Sequence, residues 1–491
     1  MSDFADIFPT MDGRGPRGLS YGRLSMGMSW ATVEAMRISH PAAPQWLTIP
    51  EDLNGVDPAL WPTGASRDES GCLMIAGHRV ADLVEAYASP LYIMDEEDFR
   101  RRARGFADHF QGWTVNYAGK AFLCRAVVRW VDEEGLNLDV CSGNELAVAL
   151  AAGFPPQRIG MHGNNKSIDE LESAIDVGVG RIVVDSFDEI SRIEAIAAQR
   201  RTTVAVLVRV TTGVEAHTHE YIATSHEDQK FGFSIHSGQA MDALQACHDS
   251  EWIDLKGVHS HIGSQIFDLE GFQVAAHRTM ELLAAFRART SVNLEEVNLG
   301  GGFGIAYTEH DSPLSPIQLN HGLTRIVKQA ITEYDLGPIH LAIEPGRAIC
   351  GPAGVAVYTV GTIKKVDIGQ GLERTYIGVD GGMSDNIRTA LYHADYSAVL
   401  ASRTSEAEPM LSRVVGKHCE SGDILVHDVY LPADLRIGDL IAVPGAGAYA
   451  RSMASNYNHA LRPAVIAVTS DRAYPIVRRE NLQDLLSLDV G

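Results

Sequence analysis

Long apolar runs are absent from this sequence: nowhere do about 18 uncharged apolar residues follow one another, the length that a membrane-spanning helix requires. Its first residues lack a basic stretch followed by an apolar one, the pattern of a secretory leader, so the expected location is the cytoplasm with no membrane partner. Cysteine is sparse: Cys72, Cys124, Cys141, Cys247, Cys350 and Cys419 are scattered without a CxxC pair. That spacing indicates neither a disulfide framework nor a zinc site, and reduced, mostly buried thiols are expected. Basic charge is in deficit, with 41 Lys and Arg against 63 Asp and Glu and a net charge of −22. This balance argues against a nucleic-acid surface, so any anion must meet a locally positive pocket.

What is present points to a large folded chain. Its 491 residues are 45% hydrophobic, enough for a sizeable core and for two domains or more. Residues 1–48 mix Gly, Pro, Arg and Met without a sustained period and read as a flexible extension. In the 49–90 segment, SGCLMIAGHRVADLVEAY contains a strand expected to pair with a C-terminal β domain. Within 91–348, eight short strand-like runs alternate with helical patterns such as SIDELESAIDVG, and these runs are TVNYAGK, LNLDVCS, RIGMHGN, RIVVDS, TVAVLVRV, LKGVHSHIGS, EEVNLGGG and HLAIEPGR. Eight such units predict an α/β fold with a (β/α)8 TIM-like barrel. Residues 349–491 change to short alternating strands between Gly, Pro and Asp turns, which predicts an all-β domain of sandwich or Greek-key type.

In a barrel of this kind the chemistry belongs at the C-terminal ends of the strands. The unusual residues fall there: Lys120, Asp139, His162, Arg209, His261, Ser264, Gly300, Gly301, Gly302, Glu344 and Arg347. Each has an ordinary explanation alone, such as an exposed strand end for the lysine or a tight turn for the glycines. Together, a lysine, a glycine loop, an imidazole and a carboxylate around one mouth suit a cofactor with an aldehyde, a phosphate and a ring nitrogen. HTHE, from His217 to Glu220, has metal-ligand residue types, but its spacing in a loop is poor evidence, and no metal site is expected. GFGIAY beside the glycines is no dinucleotide fingerprint, because it lies late in the barrel.

VNYAGKAFL, HGNNKS, GVEAHTHE, HEDQKFGFS, HSHIGSQIFD, NLGGGFG, EPGRAI, VDGGMSDNIRTALY, GKHCESGD and GAGAYARSMASNYN follow one another in this order. Together they resemble the diaminopimelate decarboxylase family, fold type III enzymes that use pyridoxal 5′-phosphate; the resemblance runs from about Asp57 to Leu488. It implies that Lys120 carries the cofactor as an imine, that Gly300, Gly301, Gly302 and Ser264 hold its phosphate, and that Glu344 meets its ring nitrogen. Pro345, Gly346 and Arg347 complete that EPGR contact; His261 stacks on the ring, Asp139 and Arg209 stand beside it, and Tyr449 touches cofactor and substrate.

The resemblance further implies that Arg347, Arg388, Tyr392, Tyr449 and Glu420 bind the substrate. Arginines suit its far carboxylate and Glu420 its far ammonium. Cys419 would reach the site of the other subunit in a homodimer and protonate the carbanion there, a task within reach of a thiol whose reference pKa is about 8.5. The implied reaction is decarboxylation of meso-2,6-diaminopimelate to L-lysine and CO2, the last step of lysine synthesis. Two rivals are decarboxylation of ornithine or arginine on the same fold and a non-catalytic, cofactor-binding regulatory protein. Two expectations about the lysine come from its neighbours. Partial desolvation should lower its proton affinity, and Gly119, where the family pattern has a residue with a Cβ, should loosen the backbone beside it.

Overall fold

A computed structural model describes residues 40–214 and 230–491. The HTHE segment, most of GVEAHTHE, the start of HEDQKFGFS and residues 1–39 of the expected extension lie outside the described residues.

Eight parallel strands close into a barrel: β1 Thr114–Ala118, β2 Asn137–Val140, β3 Ile159–Met161, β4 Arg181–Val184, β5 Val204–Thr211, β6 Ile253–Ser260, β7 Glu296–Asn298 and β8 His340–Ile343. Neighbours pair in chain order, and β8 returns to β1 through Ala342 opposite Thr114. Each run read from the sequence contains or overlaps one of these strands. A two-residue strand, Phe233–Ser234, adds to the edge of β5. Helices surround the barrel, and their starts follow local capping chemistry. Ser167 caps Ile168–Val177 in a reciprocal box with Glu170, and Ser315 does the same for Pro316–Glu333 with Gln318. Gly178 ends the first of these in a left-handed conformation at φ 74°.

The inner wall of the barrel is unusually polar. Below the mouth, Asn116, Asp139, His162 and Asn298 line a cavity of about 130 Å³ that reaches Asn137, Arg181 and Glu296 at the strand starts. Barrels of this class usually fill that space with branched apolar side chains. The apolar core lies instead between the strands and the helices, where Phe99 packs against Tyr117 and Trp130.

A second, mainly antiparallel sheet follows. Its long strand Gly354–Asp367 pairs with Glu373–Val379, with Leu440–Pro444 and with Leu91–Asp95 from before the barrel. Leu91–Asp95 also runs parallel to Ala464–Val468, so the chain ahead of the barrel is built into this sheet. Strand Leu73–Ile75 takes another course and forms a small sheet with Ser66–Arg67 and His78–Arg79. That sheet is tied on by the Leu73 N–H, which donates to the Ala401 carbonyl at 2.8 Å. Among the described residues, no helix is long and apolar enough to cross a membrane.

Candidate active site

At the end of β1 the chain turns through Gly119–Ala121 and sets Lys120 at the barrel mouth. A cavity of about 290 Å³ opens there, lined by Lys120, His261, Ser264, Gly302, Glu344, Gly346, Arg347, Arg388, Tyr392 and Tyr449. Ten residues read from separate stretches of sequence thus share one space. Asp139 lies deeper, beside His162, and Arg209 stands over the Phe231 ring at 4.5 Å with its Nη1 3.7 Å from Asp185. Pro345 accepts a backbone hydrogen bond from the Ala118 N–H, joining the ends of β8 and β1. Cys419 and Glu420 are exposed and outside this cavity; the Tyr457 hydroxyl donates to the Glu420 carboxylate.

Lys120 departs from the desolvation expectation. Its side chain is exposed to the mouth cavity that it lines. Burial pulls its pKa down, but the charges of Tyr449, Cys141 and Glu344 outweigh burial and hold it above the ordinary lysine value. Gly119 has a steric reason: a Cβ there would fall 2.8 Å from the Asp139 carbonyl oxygen, so glycine lets β1 and β2 approach rather than loosening them.

The glycine loop after β7 also differs from a simple row of amides facing an anion. The Gly300 N–H donates to Asn298 Oδ1 at 2.8 Å and the Gly301 N–H to His261 Nδ1 at 3.2 Å, so two of the three brace the loop internally. Gly302 faces the cavity at φ 96°, and a Cβ there would meet the Gly263 carbonyl oxygen at 2.4 Å. Only glycine allows that approach. Arg347 Nη2 donates to Ser264 Oγ at 2.8 Å beside it.

Glu344 is buried just beyond β8. Burial alone would raise its pKa, but His259, His162 and His261 hold it well below the usual carboxylate range. Asp139 moves the other way, raised well above its ordinary value by burial and by the Glu344 charge. Burial and the surrounding imidazoles thus push the two carboxyl groups in opposite directions.

The opposite chemistry collects around Arg347 and Arg388. Arg347 Nη1 donates to the Tyr307 hydroxyl at 2.5 Å, and its guanidinium lies 4.7 Å from the Tyr449 ring. Arg388 begins the short helix Arg388–Tyr392, donates to the Tyr396 hydroxyl and lies 4.5 Å from the Tyr307 ring. Two buried guanidiniums braced by aromatic hydroxyls make a wall suited to a carboxylate. Tyr307, Tyr396, Asn298 and His259 were not singled out from the sequence. His259 had a usable signal, since it lies two residues before His261 and strand residues at that spacing share a face. Tyr396 had none, lying in an irregular stretch after the helix.

Comparisons with known proteins agree with this geometry. Residues 96–351 match the family model of the pyridoxal-dependent decarboxylases, pyridoxal binding domain. Diaminopimelate decarboxylase of Mycobacterium leprae is 51% identical over 461 residues, which is 93% of this chain and 98% of that protein. The Mycobacterium tuberculosis enzyme of the same name is 52% identical over 438 residues, covering 88% of this chain and 98% of that protein. The crystal structure of diaminopimelate decarboxylase from M. jannaschii in co-complex with L-lysine superposes with a TM-score of 0.81 at 28% identity, over 88% of this chain and 99% of that one.

The donor set fits pyridoxal phosphate: an amine at the mouth, a glycine cradle that a Cβ would fill beside Ser264, and an ionised carboxylate below. Geometry and comparisons together place the chain in the diaminopimelate decarboxylase family, the pyridoxal-phosphate-dependent decarboxylases built on this barrel and sheet.

Proposed function

We propose that this enzyme decarboxylates meso-2,6-diaminopimelate to L-lysine and CO2, the closing step of lysine synthesis. The observation that carries the reading is the pairing of Arg347 and Arg388 in one cavity with Lys120 and Glu344, because a substrate with a second carboxylate gives both arginines a use. Relatives named diaminopimelate decarboxylase and a neighbour complexed with L-lysine support the same substrate and product.

Lys120 would hold the cofactor covalently, Gly302 and Ser264 its anionic end, and Glu344 the proton of its ring nitrogen. Bound pyridoxal phosphate supplies a conjugated, electron-withdrawing ring that takes up the electron pair left by departing CO2. Arg388 and Arg347 bind the distal carboxylate and so fix which end of the substrate reaches Lys120. Their tyrosine partners exclude water from that wall and strengthen its charge. Cys419 and Glu420 serve the cavity of a second copy in a homodimer, where Glu420 takes the distal ammonium and the thiol delivers a proton to the α-carbon. Their exposure outside the cavity of their own chain supports this division.

Two inactive variants test it. Lys120→Ala and Cys419→Ala proteins are each expected to lose turnover, and mixing them under conditions that exchange subunits should restore part of it. Full turnover by Lys120→Ala alone would end the assignment of the lysine, and no recovery on mixing would end the shared site.

A further inference from the structure

One hydrogen bond and two imidazole nitrogens converge on one oxygen of the Glu344 carboxylate. Asn298 Nδ2 donates to Oε1 at 2.8 Å, His259 Nε2 lies 3.0 Å from the same atom, and His162 Nε2 lies 3.4 Å from it. Among the described residues, none is found on Oε2, while Glu344 also lines the mouth cavity. The carboxylate therefore has one oxygen anchored inside the barrel and one left for a ligand above it.

We propose that His259, supported by His162, is a positioning residue that fixes Glu344 Oε1 from inside the barrel, so that Oε2 stays anionic and aimed at the cofactor's ring nitrogen. The inference rests on the assignment of Glu344 given above and adds what holds it. His259 and His162 meet edge to face with ring centroids 5.0 Å apart, so each limits rotation of the other. The His259 Nε2 contact to Oε1 meets ion-pair distance without hydrogen-bond geometry, and neither ring nitrogen of His259 has a hydrogen-bond partner among the described residues. Among the described residues, nothing else competes for its N–H.

Among the described residues, the other charged and titratable groups that act on this carboxylate include Asp139, Lys120, Arg209, His261 and Cys141. Burial first, together with its cationic neighbours, lowers the His162 pKa to about 3, so that ring acts at neutral pH as an uncharged donor. His162 Nε2 is also 3.4 Å from Asp139 Oδ1, which places it between the two carboxyl groups. Without these donors, desolvation would favour a protonated Glu344, and the ring nitrogen above would lose its counter-charge.

His162, His259 and Glu344, with ligand atoms within 4.8 Å of one another, would also suit a metal ion, and the test separates the two readings. Wild type, His259→Asn, His259→Gln and Glu344→Gln are prepared with pyridoxal phosphate bound. Asparagine is too short to reach Oε1, whereas glutamine can place an amide N–H near the original Nε2. Three readouts are used: the NMR shift of an isotope-labelled ring nitrogen against pH, cofactor affinity by equilibrium dialysis, and metal content. Thermal midpoints confirm folding, and His162→Asn replaces His259→Asn if the latter does not fold.

In His259→Asn the ring nitrogen should lose its proton about one pH unit lower, and affinity should fall about tenfold, as for one charge-assisted hydrogen bond. Glu344→Gln should move both in the same direction, and His259→Gln should stay near wild type. A shift in Glu344→Gln but none in His259→Asn would overturn the role of His259 and leave the Glu344 assignment standing. No shift in Glu344→Gln would overturn both. Stoichiometric bound metal in the wild type would also overturn the proposal.

Discussion

Arg388 shows how much one side chain can carry. Its buried guanidinium donates to Tyr396 and stacks on Tyr307, contacts that a lysine ammonium cannot reproduce in the same fixed plane. Arg388→Lys keeps the charge and should lower kcat/KM for diaminopimelate by about tenfold or more, mostly through KM, while cofactor binding is unchanged. Steady-state kinetics beside cofactor dialysis would check this, and an unchanged KM would remove Arg388 from the substrate site. Gly119 makes a steric case instead. With the Asp139 carbonyl 2.8 Å from any Cβ, Gly119→Ala must shift β1 against β2. Its cost should be about 1–3 kcal/mol in urea unfolding, and an unchanged midpoint would show that the strands yield freely.

Between elements, Asp423 joins two loops. Its Oδ1 accepts the Met383 N–H at 2.6 Å and its Oδ2 the His418 N–H at 2.7 Å, linking the turn before Arg388 to the turn that holds Cys419. His418 Nε2 and Ser384 Oγ meet across the same junction at 2.8 Å. Asp423→Asn replaces one acceptor by a donor that faces an N–H, so stability should fall by about 2 kcal/mol. Turnover should fall with it while cofactor affinity holds, and turnover equal to wild type would show that the loops need no clamp. None of this was legible beforehand, because GKHCESGD and VDGGMSDNIRTALY are far apart in sequence and only the folded sheet brings them together. The barrel was legible, because βα alternation is a local pattern that survives in a single sequence. The inner hydrogen bonds of the glycine loop were not, since an amide's partner depends on long-range geometry. Nor was the raised pKa of Lys120, because desolvation can be anticipated from a strand end whereas the opposing charges of Tyr449, Cys141 and Glu344 come from three separate stretches.

For the molecule as a whole, one buried acid should mark its response to pH. Burial pushes the Asp385 carboxyl up to about 7, so the folded chain favours its neutral form. Its contribution to stability is full below the unfolded value of about 3.9 and is lost as pH rises through the folded one. Asp385→Asn keeps the acceptor for the Gly382 N–H and removes the titration. Unfolding free energy should therefore decline less steeply between about pH 4 and 7 in the variant than in wild type. Equal slopes from urea titrations would show that Asp385 ionises freely when folded. A net charge of −22 surrounds a cavity with two arginines and a lysine, so the local field, not the overall charge, must select a substrate that carries carboxylates at both ends. The most direct check is CO2 release by the pyridoxal-phosphate-loaded wild-type protein from meso-2,6-diaminopimelate and from ornithine, measured side by side as kcat/KM. Diaminopimelate should be the strongly preferred substrate and L-lysine its product; preference for ornithine, or no CO2 from either, would contradict the assignment.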